Sequence, residues 1–242
     1  MESTGSPALG LGHADLVPVV EKAFSLWPQA ACNGGTPAIA VASLGALTCD
    51  VPESNGTGPN ANAVIFQDES WAYGMEVIGL TKVSFNVKTG QIRDADIQIN
   101  TLDYGGEFTP EGLAYTIAHE SGHFFGLNHS FIFGTLMYPQ SSAGTTVAPV
   151  LTPDDVAGIC TVYPPSLGDP MCDPDPRAGA FEPDKGFAPD CGGDVTAACS
   201  LSPPATEGTA PSMALVAAAT LFATLFRRRG SATGSKARGA RT

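Results

Sequence analysis

Apolar side chains recur at three- and four-residue spacing between Ala14 and Trp27. This spacing predicts an amphipathic helix, in which Pro18 fits only near the first turn. After Pro37 the pattern changes to short β-rich runs bounded by Gly, Asn and Pro, namely AIAVAS, NAVIFQ, KVSFNV and DADIQIN. The segment NVKTGQIRDADI, which joins the last two runs, predicts a hairpin with a Thr-Gly turn.

Two later segments begin with helix-start signals. Thr109 is an N-cap candidate, and Pro110 and Glu111 follow it in the first turn, which predicts a helix through EGLAYTIAHESGHFFGL. Thr152 precedes Asp155 by three residues, as in a capping box, and predicts a helix over TPDDVAGICTVY. The pattern therefore predicts one domain of helices and short strands over residues 1–163.

The composition changes after residue 163. Ten of the twenty prolines fall between Pro164 and Pro211, so we expect a linker over residues 164–211, with Cys172 and Cys191 as candidates for a disulfide. Residues 212–229 hold the uncharged run SMALVAAATLFATLF and then three arginines. Fifteen helical residues reach about 22 Å, short of a hydrocarbon core of about 30 Å, so this is a marginal anchor with its arginines on the cytoplasmic side. Residues 230–242 are predicted to be a basic disordered tail.

The charge distribution limits the partners. The chain has 242 residues, 43 % of them hydrophobic, which suffices for one domain with a core and appendages. Six of the twelve basic residues follow residue 226, so the first 226 residues carry six basic and 24 acidic side chains, a net charge of −18. Such a surface repels phosphate backbones, and we expect no nucleic-acid partner.

The cysteines bear on the compartment. Six of them occur without a CxxC pair, which favours an oxidised, extracytoplasmic chain over a zinc ribbon or a thioredoxin site. The first twenty residues, however, contain Glu2 and no continuous apolar run, unlike a signal peptide. Two alternatives follow: a cytoplasmic protein with free thiols, or a sequence whose true N-terminus is missing.

The segment HESGHFFGLNH contains three of the four histidines. His119 and His123 lie one turn apart on the predicted helix, so they project from one face and can present two imidazole nitrogens to one ion. Gly126 accepts the positive φ that ends a helix, and the turn would return His129 to the same ion as a third ligand. Three protein ligands leave a fourth zinc position for water, as in a catalytic site.

Glu120 completes this predicted site. It lies about 100° round the helix from His119, where it can reach a water on the metal. Zinc lowers the pKa of bound water towards about 7, and a neighbouring carboxylate can take its proton and later deliver it to the departing amine. Peptide-bond hydrolysis therefore fits this residue set, although the spacing alone also admits other carbonyl substrates. A lone HExxH is weak evidence, but the eleven-residue pattern is far less expected by chance.

The same residues resemble a known family. HESGHFFGLNH followed by GTLMYP resembles the metzincin metallopeptidases, in which a methionine-containing turn lies beneath the zinc, and Met137 would be that methionine. Ser130 after the third histidine and Tyr138 after the methionine resemble the matrixin branch. The likeness extends over roughly residues 14–164. It implies an α+β zincin fold with a mixed twisted sheet, an antiparallel edge strand, a long active-site helix and a C-terminal helix, with the N-terminal strand missing from this sequence.

The resemblance also implies an activity. It points to an endopeptidase with one catalytic Zn²⁺, a polypeptide substrate and a monomeric state. An extended peptide would add antiparallel to the edge strand near residues 80–86, and Tyr138 and Pro139 would line the pocket for the residue after the scissile bond. Leu80 and Val83 on the edge strand are further candidates for the substrate pocket. Carboxylates in DADIQIN and DPDP are candidate Ca²⁺ ligands, against the simpler interpretation as solvated acidic loops. The alternative is a surface binding or adhesion protein on a non-catalytic metzincin scaffold.

The C-terminal region resembles a second kind of signal. Cys199, a polar spacer, a short apolar run and an arginine cluster resemble the myxobacterial type of C-terminal sorting segment, in which the cysteine marks the processing point. This implies a secreted or cell-surface anchored protein that contacts the membrane through its C-terminal segment. With Cys199 set aside, we expect a Cys32–Cys49 disulfide beside the first helix, and Cys160 paired with Cys172 or Cys191.

Overall fold

The computed structural model describes residues 5–43, 45–47, 51–52 and 62–167. Four helices and three strands occur there, in the order α1 (His13–Ser25), β1 (Val64–Phe66), β2 (Gly79–Phe85), β3 (Ile92–Ile99), α2 (Thr101–Tyr104), α3 (Pro110–Phe124) and α4 (Pro153–Val162). Most of the predicted linker, the apolar run and the basic tail lie outside the described residues, as do Cys49, Cys172, Cys191 and Cys199. In the described part of the chain, no helix combines the length and apolar character needed to cross a membrane.

The strands form a small mixed sheet in the order β1-β3-β2. β1 runs parallel to β3, with Val64 opposite Ile97, and β2 runs antiparallel to β3, with Thr81 opposite the same Ile97. β2 is thus the antiparallel edge strand of the described sheet. The predicted hairpin is confirmed: the Asn86 amide donates to the Gln91 carbonyl at 2.8 Å, and Gly90 takes a φ of 75° in the turn.

One strand prediction is wrong. The run AIAVAS, residues 38–43, forms no strand. Its first backbone amide, that of Ala38, does not bond a neighbouring strand. It donates to the carbonyl of Tyr163, just after α4, at 3.1 Å. The alternation of small and branched residues is compatible with a strand, but the contact with the end of α4 decides the local conformation. Before α1, residues 5–12 form a 3₁₀ turn at Pro7–Leu9 and no strand of the sheet.

The helix-start signals are confirmed. The Thr109 hydroxyl accepts from the Gly112 amide at 2.9 Å, and Asp155 Oδ2 accepts from the Thr152 amide at 2.8 Å, so both caps satisfy amides that a helix start leaves without a partner. The first helix begins one residue earlier than predicted, and Pro18 lies inside it, beyond the first turn.

The main core lies between α1, α3, α4 and the sheet. Its central side chain is Trp27, just after α1, whose indole N–H reaches Ser121 Oγ at 2.9 Å and the Ala118 carbonyl at 3.2 Å, both on α3. The other large, fully buried members come from every layer of the fold: Leu16, Ile97, Ile99, Ile117, Leu136 and Ile159. The segment of α3 that carries the histidines is therefore held from behind by the core.

The disulfide prediction is also wrong. Cys32 pairs with Cys160, 128 residues away along the chain and 5.5 Å apart between Cα atoms, and not with Cys49. Cys160 therefore does not pair with Cys172 or Cys191 either. The segment after α1 packs beside the end of α4, as the Ala38–Tyr163 bond also shows. Sequence proximity suggested the shorter loop, but packing brought distant cysteines within bonding distance.

Candidate metal centre

The centre is built at the C-terminal end of α3. His119 and His123 stand one turn apart on this helix, which ends at Phe124. Gly126 then takes a φ of 87°, and its amide donates to the His123 carbonyl at 2.8 Å. An L residue with a side chain is strained at such a φ, so glycine permits the reversal that brings His129 back beside the helix.

The three histidines meet at their Nε2 atoms. His129 Nε2 lies 3.3 Å from His119 Nε2 and 3.1 Å from His123 Nε2. Nitrogen ligands about 2.05 Å from a tetrahedral ion stand about 3.3 Å from one another. Within the described residues, this triad is the group of metal-ligating side chains that converges closely enough to hold an ion. The donor set and its spacing fit zinc.

Hydrogen bonds at the other ring nitrogens set the tautomer. His119 Nδ1 donates to the Leu136 carbonyl at 2.6 Å, and His123 Nδ1 donates to the Leu127 carbonyl at 2.8 Å. A carbonyl can only accept, so each neutral ring carries its proton on Nδ1 and leaves the Nε2 lone pair facing the common point. Lone pairs this close repel one another unless a cation lies between them.

Burial keeps the imidazoles neutral. Desolvation lowers the pKa of His119 well below its usual value, with His123 and His129 adding to the shift and the Leu136 carbonyl opposing it. Desolvation also lowers the pKa of His123 to about 4, against the opposing bond to Leu127, and lowers that of His129. The neutral imidazole is the form that binds a metal ion.

Glu120 is buried between α3 and the sheet, with 2 % of its surface exposed. Its Oε2 accepts from Thr81 Oγ1 on β2 at 2.7 Å, and the same hydroxyl lies 2.9 Å from the Glu120 carbonyl oxygen. Desolvation raises the pKa of Glu120 to about 7, and the bond from Thr81 opposes that rise. The carboxylate is thus tethered to the edge strand, a contact that the sequence pattern did not indicate.

Gly79 makes room for this carboxylate. A Cβ at position 79 would lie 2.9 Å from Glu120 Oε1, closer than real Cβ atoms come to their neighbours, and 3.0 Å from Thr116 Cγ2, which is tighter than most Cβ contacts. A glycine at the start of β2 therefore lets the strand pass directly over the side chain of Glu120. The strand pattern carried no signal for this role, because a glycine at a strand end usually marks only a boundary.

Met137 is buried, and it directly follows Leu136, whose carbonyl accepts from His119 Nδ1. It packs against Gly122 on α3, where a Cβ would clash with Met137 Sδ and would come within 2.7 Å of Trp27 Cζ2. The Ser130 amide donates to the Met137 carbonyl at 2.8 Å, which joins the two ends of the loop that runs from the third histidine to the methionine. The role of Met137 as a hydrophobic floor of the site stays a prediction.

Asp155 on α4 holds the methionine turn. Its Oδ2 accepts from the Leu136 amide at 2.9 Å and its Oδ1 from the Met137 amide at 3.0 Å. The carbonyl of the same Leu136 receives the Nδ1 proton of His119. Asp155 therefore positions His119 through the turn. The sequence identified Asp155 only as a helix cap, since nothing local indicates a bond to residues eighteen positions earlier.

The remaining predicted site residues are placed as follows. Tyr138 is half-buried and directly follows Met137, and Pro139 comes next. On β2, Thr81 reaches Glu120, so alternation puts Val83 on that face and Leu80 on the other. Asp96 in DADIQIN is buried, and its Oδ1 accepts from the Ala63 amide at 3.0 Å. The roles of these residues in binding substrate or calcium stay predictions.

The features of a metzincin metal centre are two histidines and a glutamate on one helix, a third histidine returned by a glycine, and a methionine further along the chain. The described residues show this combination. Comparison with known proteins agrees. Residues 46–164 match the family model of matrixin. Mouse (Mus musculus) matrilysin is 40 % identical over 58 residues, which is 24 % of this chain and 22 % of the relative.

Two longer matches are interstitial collagenases. Those of rabbit (Oryctolagus cuniculus) and cattle (Bos taurus) are each 29 % identical, over 157 and 156 residues, which is 64 % of this chain and 30 % of each relative. The chain thus matches less than a third of the length of these relatives. Residues 46–164 are thus similar to matrixins, which supports a zincin fold for this part of the chain.

Proposed function

We propose that this protein is a zinc-dependent endopeptidase that hydrolyses peptide bonds of extracellular proteins. The observation that carries the proposal is the convergence of three Nε2 atoms beside a buried glutamate, with 3.1 Å and 3.3 Å between His129 and the two helical histidines. In this proposal His119, His123 and His129 hold the metal. When bound, zinc supplies Lewis acidity that polarises the scissile carbonyl and makes a water easier to deprotonate.

Glu120 is the general base and then the general acid. Its carboxylate takes a proton from the attacking water and returns it to the departing amine nitrogen, so protons balance over the reaction. Burial raises the pKa of Glu120 to about 7, which suits a group that both accepts and donates near neutrality. Thr81 Oγ1 orients the carboxylate from the edge strand.

The edge strand β2 is the proposed docking site for the substrate backbone. An extended peptide adds antiparallel to β2, and Tyr138 and Pro139 line the pocket for the residue that follows the scissile bond. Val83 lies on the Glu120 side of β2, and Leu80, on the other face, contacts the bound peptide through its backbone. The expected catalytic unit is a monomer.

An oxidising compartment agrees with this activity. The Cys32–Cys160 disulfide supports a secreted or surface-anchored enzyme, because such bonds persist outside the reducing cytosol. We propose that the C-terminal segment contacts the membrane and that Cys199 is its processing point. Cys199→Ala should leave the C-terminal segment uncleaved, as read by intact mass of the cell-associated protein. An unchanged mass and location would contradict this part of the proposal.

Casein cleavage tests the catalytic proposal. The zinc-loaded full chain should degrade unfolded casein, and Glu120→Ala should lower kcat by about 10³-fold while metal analysis still finds one zinc per chain. Glu111→Ala is the matched control, since it removes a carboxylate from the first turn of the same helix, and it should change the rate less than about twofold. Equal activity in wild type and Glu120→Ala would overturn the mechanism. Peptide binding without cleavage by wild type would favour the alternative, a non-catalytic surface binding protein.

A further inference from the structure

The loop between the third histidine and the methionine turn exposes three large apolar side chains in a row. The exposed fractions are 98 % for Phe131, 56 % for Ile132 and 86 % for Phe133. Single exposed apolar residues are common on protein surfaces, but a run of three is avoided unless it has a function, because it promotes non-specific association. Neither the zinc centre nor the core uses these side chains.

The loop is held in this conformation by hydrogen bonds at its base. The Ser130 amide donates to the Met137 carbonyl at 2.8 Å, and Ser130 Oγ donates to Asp154 Oδ2 at 2.6 Å. The Ile132 amide donates back to Ser130 Oγ at 3.1 Å, and Thr135 Oγ1 donates to the Ile132 carbonyl at 3.0 Å. The exposure is therefore built into an ordered loop.

This surface is continuous with the metal centre. Ser130 directly follows the ligand His129, and the ring of Phe133 lies edge-on to the ring of Tyr138, with 5.4 Å between centroids. Tyr138 is the residue that we expect in the substrate pocket. A polypeptide that reaches from the pocket across Tyr138 would therefore meet Phe133 next.

The charge of this segment and of the first 226 residues disfavours an anionic membrane as the occupant. Residues 130–140 contain no lysine or arginine, and the first 226 residues have a net charge of −18 from six basic and 24 acidic side chains. Insertion of apolar residues at an anionic lipid surface is usually supported by neighbouring basic residues. An apolar stretch of an unfolded polypeptide needs no such support.

We propose that Phe131, Ile132 and Phe133 form a docking surface for aromatic or aliphatic side chains of an extended polypeptide substrate. This apolar loop surface lies beside the metal centre and selects substrates with apolar residues outside the pair that flanks the scissile bond. The inference rests on the proposed peptidase function. Burial of two phenylalanine rings against a bound chain should make the affinity for apolar peptides about tenfold or more higher than the affinity for polar peptides.

A binding experiment tests the surface separately from catalysis. The zinc-loaded full chain carrying Glu120→Gln is titrated against two fluorescein-labelled 12-residue peptides that share a central Ala-Leu pair. The flanking positions hold Phe in one peptide and Ser in the other, and fluorescence polarisation gives both Kd values. We expect the Phe peptide to bind at least about tenfold more tightly, and the ratio to fall to about one after Phe131→Ser and Phe133→Ser together.

Two comparisons keep the test decisive. Val162→Ser removes a valine that is 45 % exposed at the far end of α4 and should leave the peptide ratio at its original value. An unchanged ratio in the double serine variant would overturn the inference, even if casein is cleaved. The inference would also be overturned if the double variant had only one of two other effects. These are the loss of a dimer in sedimentation and the loss of binding to phosphatidylglycerol vesicles. If casein is not cleaved but the ratio behaves as expected, the docking surface stands and the catalytic proposal fails.

Discussion

The two halves of the metal centre are held in different ways. On α3, His119, Glu120 and His123 depend on helical spacing, and a threonine cap and a proline at the helix start are visible in the sequence. The other half, from His129 to Met137, has no regular secondary structure and depends on Asp155 and Gly122, which lie on two other segments. A helix places side chains through its own backbone bonds, whereas an irregular loop needs partners from the rest of the fold.

Among the variants that test this comparison, Asp155→Ala should have the largest effect on stability. The two buried amides of Leu136 and Met137 and the half-buried amide of Thr152 lose their acceptor. We expect the free energy of unfolding to fall on the order of 4 kcal/mol, and zinc affinity about 10- to 100-fold because the Leu136 carbonyl no longer holds His119 firmly. Urea unfolding and a competitive zinc titration measure the two effects.

Asp154→Ala is the control for that change. Asp154 is exposed and bonds only the Ser130 hydroxyl among the contacts described, so its loss should cost less than about 1 kcal/mol. If both variants lose the same stability, Asp155 does not have the special role that its buried bonds to the methionine turn assign to it.

Removing the disulfide should have the second-largest effect on stability, and it acts on the half of the site from His129 to Met137. Cys32→Ala together with Cys160→Ala releases α4, the helix that carries Asp155. We expect a loss of about 3 kcal/mol of unfolding free energy. Calorimetry with and without reductant measures it, since wild type should be sensitive to the reductant and the double variant should be less so. A peptide map without a Cys32–Cys160 cross-link would refute the pairing.

Gly122→Ala tests the contact where the two halves meet. The added Cβ would clash with Met137 Sδ and with the Trp27 ring, and we expect a loss of about 2 kcal/mol through overpacking. The matched control is Gly158→Ala on α4, whose Cβ would meet Leu127 Cδ2 at an ordinary 3.4 Å. Alanine is the better helix former, so the control should be neutral or slightly stabilising in the same urea experiment. Equal losses would mean that helix propensity and not packing dominates.

The smallest effect is expected from a change that affects only the α3 half of the site. Thr81→Val removes the hydroxyl that donates to Glu120 Oε2 while keeping the shape of the side chain. We expect kcat/KM to fall about fivefold, equivalent to about 1 kcal/mol, with unchanged zinc content. Thr81→Ser should retain most of the activity, because it keeps the donor. A valine variant with wild-type kinetics would show that burial alone positions the carboxylate.

Local signals in the sequence account for much of the site. The caps at Thr109 and Thr152, the hairpin turn at Gly90 and the reversal at Gly126 were predictable, because each depends on residues within about four positions. The run AIAVAS shows the opposite case. Its residues favour a strand, yet its backbone bonds the end of α4, a contact that no local pattern encodes.

The positioning residues were hidden for the same reason. Thr81 and Gly79 touch Glu120 across about forty positions of the chain, and a threonine in a strand is ordinary without that contact. The wrong disulfide prediction has a similar origin: Cys49 lies nearer to Cys32 along the chain, but the fold places Cys160 at a Cα distance of 5.5 Å.

The sequence by itself determined which reactive groups the candidate metal centre contains. The residue types and spacing of HESGHFFGLNH specify three imidazoles, one carboxylate and the glycine that reverses the chain, because helical periodicity and glycine φ preferences are local properties. Only the tertiary structure decided what supports that chemistry: Asp155 under the methionine turn, Thr81 on the carboxylate, the Cys32–Cys160 link and the outward direction of Phe131 and Phe133. These contacts depend on which distant segments the core brings together. The hydrophobic effect that drives burial is non-directional, so only the packed structure shows which side chains meet.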